Sequence, residues 1–340
     1  MTGWAQGLPV DVLVRIAAEV DVAQRYTLAA VCSRWRQELF VAEDLWRKLD
    51  FTASGQHIQN TDILQVLRNR CDSSKVKELR LNRCVQLQPL FVSGLLHYCG
   101  NGLRVLSLQR EIPDELVGIS PVQSFDLVLD LSSIFENCPL LRDLAISGYR
   151  ITITKTAVTA SHLKLLDIRN TGGSFLHYWD IFGCVGHLEC LKVSSFSESA
   201  GLELLALLNT SDSLSELWLQ GCRLPSSQLL AVLQSLTKLR ILRLISMRVP
   251  RFHRTLQLLG RHPRLEHLSI DSSRLPYNMN APLSEEDLLP LFKSMTLRTL
   301  LINPSPWESD RRAFCEGLFR RCPSLSQITV GTERVLRIEI

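Results

Sequence analysis

The chain is poor in concentrated charge. Lysine and arginine total 38 against 34 aspartates and glutamates, a net +4 over 340 residues, and neither sign gathers in a block along the sequence. That balance argues against a nucleic-acid footprint. Long apolar runs are also missing. Stretches such as Leu204–Leu208 fall far short of the roughly 18–20 residues a membrane helix needs, so no membrane partner is expected. The start, Met1 to Asp11, has no basic segment followed by an apolar one and a small-residue cleavage site. We therefore expect no secretory leader and a cytoplasmic or nuclear protein.

Catalytic signatures are lacking as well. There is no G-x-S-x-G elbow, phosphate-binding glycine loop, G-x-G-x-x-G or H-E-x-x-H. Histidines and acids are scattered without a nucleophile beside them, so neither an enzyme nor a cofactor is expected. The ten cysteines contain no C-x-x-C pair, and we read them as reduced thiols in the core rather than a disulfide framework. Cys184-x-x-His187-x-x-Cys190 is the nearest approach to a metal cluster, but it lacks a fourth ligand and straddles a strand entry, so no metal site is expected.

What is present is apolar and periodic. Hydrophobic residues make up 46% and charged residues 21%, a folded composition. A chain this long needs an elongated or repetitive core. From residue 76 one triad recurs, an apolar residue followed by others three and five places on. Its copies are Val76/Leu79/Leu81, Leu103/Leu106/Leu108, Leu141/Leu144/Ile146, Leu163/Leu166/Ile168 and Leu188/Leu191/Val193. They continue with Leu214/Leu217/Leu219, Leu239/Leu242/Leu244, Leu265/Leu268/Ile270, Leu297/Leu300/Ile302 and Leu325/Ile328/Val330, and Trp46/Leu49/Phe51 fits as a further one. Most intervals fall within the roughly 20–29 residues of leucine-rich repeats. Each triad predicts a short parallel strand, and segments such as 229–236, 255–262 and 313–322 predict returning helices with apolar residues at i, i+3 and i+4. One such unit cannot bury its own apolar face, so neighbours must stack into a solenoid.

Three units enter their strand through Cys138-Pro139, His262-Pro263 or Cys322-Pro323. Cys84 and Cys222 stand three residues past the last strand leucine, as in the cysteine-containing class of leucine-rich repeats, though other repeats place residues such as Tyr149 there. Extra residues within 109–128 and 274–287 read as loops. The final Arg334–Ile340 alternates like a strand and is expected to cover the last sheet edge.

Residues before 50 do not follow the repeat. Val12, Leu13, Ile16, Ala17 and Val20 form one apolar helical face, with Pro9 suited to its first turn. Asp21 and Gln24 have the spacing of a capping box for a second helix. A third helix carries Cys32, Trp35, Leu39 and Phe40. About 40 residues sit near the lower limit for independent folding, so this module needs a partner to cover its apolar surface.

Leu8-Pro9, Leu13, Ile16, Val20, Leu28, Val31-Cys32, Trp35-Arg36 and Leu45-Trp46 resemble the F-box motif in order and spacing, with Asp11 where the family often has Glu. Joined to the repeats, the chain resembles the F-box/leucine-rich-repeat proteins. The resemblance implies an α/β chain with a three-helix F-box domain over 1–50 and a leucine-rich-repeat horseshoe of about ten strand–helix units over 51–340. It implies a non-catalytic substrate-recognition subunit of a Skp–cullin–F-box ubiquitin ligase, whose partners are a Skp-type adaptor, the cullin and RING subunit reached through it, and a target protein. Carried over, Leu8, Pro9, Leu13, Ile16, Leu28, Val31, Cys32 and Trp35 touch the adaptor or support that contact. Two alternatives remain open: an F-box–adaptor protein acting outside the ligase, and a leucine-rich-repeat scaffold or inhibitor with a helical cap.

Residues between the strand leucines point to the opposite face by the period of two. There Trp218 is flanked by Lys192 and Arg243, with Leu165, Ile241 and Ile245 alongside. Aromatic, basic and apolar groups on an exposed sheet suit target binding, with preference for an acidic or phosphorylated segment. A structural stack of Arg243 on Trp218 is the other reading. The short junction "LWRKLDF" suggests stiff coupling between the modules, against a hinge within 52–62.

Overall fold

The computed structural model describes residues 7–70, 73–110, 127–154, 161–169, 187–194, 198–222, 224, 226–245, 252–271, 291, 294–303, 311–330 and 333–337. They divide near residue 165 into two compact units, the described residues up to Leu165 and those from Leu166 onward. The extra residues within 109–128 and 274–287 lie largely outside the described ones, as do Cys71 and Cys184.

The first unit opens with three helices: α1 (Val10–Ala18), α2 (Val22–Ala29) and α3 (Ser33–Val41). A tight 3-10 turn over Glu43–Arg47 leads into strand β1 (Lys48–Asp50). Then come α4 (Asn60–Arg70), β2 (Glu78–Arg80), α5 (Pro89–Cys99) and β3 (Val105–Gln109). The unit continues with β4 (Val128–Asp130), α6 (Leu131–Asn137), β5 (Asp143–Ser147) and β6 (Arg150–Thr152). β1, β2, β3 and β5 are parallel neighbours in that order, while β4 and β6 form a separate parallel pair.

The second unit carries β7 (Leu165–Arg169, whose first residue belongs to the first unit), β8 (Cys190–Ser194), α7 (Glu198–Leu208), β9 (Glu216–Gln220) and α8 (Ser226–Ser235). It continues with β10 (Ile241–Ile245), α9 (Phe252–Leu259), β11 (His267–Asp271), β12 (Thr299–Asn303), α10 (Arg311–Arg321), β13 (Gln327–Val330) and β14 (Glu333–Leu336). Strands β8 to β13 are parallel neighbours in chain order. β14 turns back antiparallel on β13 and covers that sheet edge, where the alternation of Arg334–Ile340 led us to expect a strand. No helix among the described residues is long and apolar enough to cross a membrane.

The leucine triads set the register. Leu49 pairs with Leu79, Leu79 with Leu106, Leu217 with Leu242 and Leu242 with Leu268. Stacking like on like puts an unbroken apolar row on one face of the strands, and each of these leucines is 0–1% exposed. This is the physical reason for the repeat, because no single strand–helix unit can shield its leucines alone. The fold is thus a set of N-terminal helices followed by a solenoid-like α/β repeat region.

Recurrent polar details close each unit. Cys84 and Cys222 are buried just past their strands, and their thiols donate to the carbonyls of Asn82 (3.5 Å) and Gln220 (3.3 Å). Tyr149 is buried at the equivalent place. Gly221, at φ 63°, makes the left-handed exit that lets Cys222 turn inward. The residues before the entry prolines also face inward. His262 Nε2 lies 3.0 Å from the Leu236 carbonyl, and the Cys322 thiol donates to Leu291 at 3.4 Å. Burial lowers the His262 pKa and raises those of Cys84 and Cys138 to about 12. Eight free cysteines are found among the described residues.

Candidate functional site

The helical module is held by a compact set of side chains. Asp21 caps α2, with its carboxylate accepting the Gln24 N–H at 2.7 Å and the Gln24 side chain accepting the Asp21 N–H at 3.2 Å, the predicted capping box. Pro9 stands at the N-cap of α1, one place before the first-turn position expected for it. Cys32 caps α3 through its sulfur, which accepts the Trp35 N–H at 3.4 Å. Tyr26, Phe40 and Trp46 form an aromatic triangle with centroid separations of 5.8, 5.9 and 6.1 Å, and the Trp46 indole donates to the Leu39 carbonyl at 3.1 Å.

Arg25 was not singled out by sequence reasoning, yet it ties the module together. It is 3% exposed, and its guanidinium donates to the carbonyls of Ala17 (2.9 Å), Leu45 and Lys48 (2.8 Å). Three carbonyls from the end of α1, the 3-10 turn and β1 therefore converge on one cation. A charged residue on a short helix with a weak apolar face ordinarily reads as solvent-facing, so nothing in the local pattern marks it.

The eight adaptor candidates divide by burial. Leu13 and Trp35 are 2% and 4% exposed and belong to the module's own core, the supporting half of the expectation, because no apolar surface of theirs is open to a second chain. Ile16 and Val31 are 44% and 48% exposed, and Pro9 is exposed too. Leu8, Leu28 and Cys32 are half-buried. Val12, which shares the helical stripe of Ile16, is exposed beside it. An Arg34 guanidinium accepted by the Leu8 carbonyl at 3.1 Å ties the chain ahead of α1 to the first turn of α3. The outcome is an α1 with two faces, Leu13 and Ala17 inward and Pro9, Val12 and Ile16 outward.

The module is not joined by a loose tether. β1 pairs with β2, the Phe51 N–H donates to the Arg80 carbonyl at 2.9 Å, and the Ser54 hydroxyl donates to the Asp21 carboxylate at 3.0 Å. Gly55 runs so close to the Asn82 carbonyl that a side chain there would collide with it. Stiff coupling, not a hinge within 52–62, is what these contacts describe.

The second candidate lies on β7 to β10 of the second unit. Register places Lys192, Trp218 and Arg243 side by side. The Lys192 ammonium is 4.1 Å and the Arg243 guanidinium carbon 3.8 Å from the Trp218 ring centroid, with Arg169 at 5.6 Å. Trp218 is half-buried, so it is no open aromatic anchor: neighbouring strands lay cations against the ring. Arg169 forms a two-point pair with Asp167 at 2.6 and 2.8 Å, and Lys192 pairs with Glu216 at 3.3 Å. Arg243 makes no ion pair among the described residues. The Trp218 indole N–H is buried without an acceptor. Ile241 and Ile245 flank Arg243 on its own strand, both half-buried. Leu165 is half-buried at the start of β7, its N–H bonded to the Arg142 carbonyl at 3.0 Å.

Of the metal-like triplet, Cys184 lies outside the described residues, while His187 is exposed and Cys190 buried. Burial raises the Cys190 pKa to about 12, with the Glu216 carboxylate adding to it.

Comparison with known proteins bears on the first site. Residues 5–52 match the F-box-like family. No curated protein matches this chain. Among solved structures, the chain is similar to one in the yeast Rad7–Elc1 complex, at 15% identity over 90% of this chain and 92% of that one, with a TM-score of 0.42. It is also similar to one in the TLR13–ssRNA13 complex, at 16% identity and a TM-score of 0.36, where the match covers 76% of this chain and 43% of that one. The chain thus carries an F-box-like domain at its N terminus, followed by strand–helix units of the leucine-rich pattern.

Proposed function

We propose that the chain is a non-catalytic substrate receptor of a Skp–cullin–F-box ubiquitin ligase, working in the cytoplasm or nucleus. The F-box-like match over residues 5–52 carries the reading, and the exposed apolar stripe of α1 supports it. Pro9, Ile16 and Val31, edged by Leu8 and Leu28, form the surface that a Skp-type adaptor covers, while Leu13 and Trp35 hold the helices that present it. An apolar helix face left in water on a small module is the geometry of helix-in-groove or helix-packing recognition. The cullin and RING subunit are then reached through the adaptor, and stiff coupling at β1 fixes the F-box against the first repeats.

Target binding is assigned to the Trp218 platform. Among the described residues Arg243 is the cation of the platform whose donors are not spent on a carboxylate, and stacking on the indole holds its fork in place for an acidic or phosphorylated side chain. Ile241 and Ile245 supply apolar contact beside it, with Leu165 at the head of β7.

Mass spectrometry of proteins co-purified under proteasome inhibition tests the reading. Recovery of adaptor, cullin and RING subunit with a ubiquitinated target is the expected result. Adaptor without cullin favours a role outside the ligase, and neither favours a scaffold with a helical cap. Trp218→Ala should weaken target capture by about 2 kcal/mol or more, roughly thirtyfold, while adaptor recovery stays constant. Undiminished target recovery would place the target site elsewhere.

A further inference from the structure

The position just after the first apolar residue of each triad forms a row of its own. In five successive units of the first compact unit it is Arg47, Lys77, Arg104, Arg142 and Lys164. One backbone ladder joins them. The Lys77 N–H donates to the Arg47 carbonyl at 2.8 Å, Arg104 to Lys77 at 2.8 Å, Arg142 to Arg104 at 2.8 Å and Lys164 to Arg142 at 2.7 Å. Neighbours are therefore one strand spacing apart, ~4.8 Å, and the row is about 19 Å long. It runs along the strand-entry edge and begins within the F-box-like segment itself. Arg104 and Arg142 are exposed, Lys77 and Lys164 half-buried, and the Arg47 side chain is 48% exposed.

Among the described residues, the middle of this row carries no neutralising carboxylate. Arg47 pairs with Asp44 at 3.0 Å. Among the described residues, Lys77, Arg104 and Arg142 form no ion pair with a carboxylate. Nearby acids are engaged elsewhere: Glu78 with Lys48 (3.9 Å) and Arg80 (2.5 Å), and Glu43 with Lys75 (2.9 Å).

The second unit provides an internal comparison. Its equivalent positions are Glu189, Ser215, Arg240, Glu266, Arg298 and Ser326, with the same ladder from Ser215 to Ser326 at 2.8–2.9 Å. There Arg240 forms a two-point pair with Glu266 at 2.8 and 3.0 Å. The backbone therefore accepts acids, serines and cations alike at this position, and the run of five cations is not a requirement of the repeat. Like charges at this spacing fall well inside the ~8 Å Debye length of physiological salt, so the row repels itself. An acidic occupant relieves that repulsion.

We propose that the row Arg47–Lys77–Arg104–Arg142–Lys164 docks an acidic segment of a partner protein. The chemistry favours polypeptide over nucleic acid. No aromatic side chain interrupts the row to stack a base, and the chain as a whole is nearly balanced in charge. The assignment stands on the row's own chemistry and is independent of the ligase reading.

Fluorescence anisotropy with a fluorescein-labelled decaglutamate peptide, titrated with the full chain, tests this surface. The expected result is binding that weakens with added salt and falls at least about tenfold in Lys77→Glu/Arg104→Glu/Arg142→Glu. Arg254→Glu/Arg261→Glu/Arg320→Glu makes the same change in net charge at exposed positions of the second unit and should stay within about twofold of wild type. Equal loss in both variants, loss in neither, or no binding by the wild type overturns the proposal. If the reversed variant fails to fold, the Gln triple variant at the same positions replaces it, with the same expected loss. A labelled oligothymidylate that binds more tightly than the peptide and depends on the same three residues would show that the row takes phosphate backbone, and would also overturn it.

Discussion

At the scale of single residues, the helical module depends most on a side chain that its sequence disguises. Arg25 is a buried cation satisfied by the carbonyls of Ala17, Leu45 and Lys48. Arg25→Met keeps the length of the side chain and removes every donor, leaving these carbonyls to find water in a closed space. We expect a loss of about 3–5 kcal/mol, read as a lower urea midpoint of the first unit. A change under about 1 kcal/mol would mean that water replaces the guanidinium and that the three carbonyls are not held by it. Sequence reasoning passed over this residue because amphipathic patterns score side chains as in or out, and a charged one scores as out. The same limit blurred the adaptor candidates. Leu13 and Ile16 are equally apolar and three residues apart, and only packing shows that the first is core and the second open.

At the scale of elements, the leucine period made the repeat strands and their order readable in advance. Apolar residues three and five places apart have one economical solution, a strand that hands its leucines to the next strand in register. The C-terminal strand and the helices after β9, β10 and β12 followed from the same logic. Less legible was what crosses between strands. The period of two already set Lys192 and Arg243 beside Trp218, and what it left open was whether the ring stands free or lies against those cations. The basic row at the strand entries became visible only once the ladder aligned five distant residues. The junction of module and repeats makes its own prediction. Gly55→Ala puts a methyl group against the Asn82 backbone, which belongs to the turn after β2 and cannot swing aside. A destabilisation of about 1–3 kcal/mol is expected, seen as a fall in the thermal midpoint with adaptor binding retained. An unchanged midpoint would show that the 52–62 segment is free to move away from β2.

At the scale of the whole molecule, the account separates what holds from what binds. Leucine rows, Arg25 and the aromatic triangle hold. Binding is proposed for three surfaces: the outward stripe of α1, the half-buried Trp218 platform and the row of entry cations. The reading as a ligase receptor rests on the F-box-like match and is supported by the first of these surfaces. Its most direct test is size-exclusion chromatography of the purified chain with a Skp-type adaptor, comparing wild type with Ile16→Glu/Val31→Glu. Both substitutions fall at exposed positions, so circular dichroism should show an unchanged fold. The account predicts one-to-one co-elution for wild type and loss of the complex for the variant, at least about a hundredfold in affinity for two charges placed under an apolar interface. Co-elution of the variant with undiminished affinity, or no complex with wild type, would contradict it.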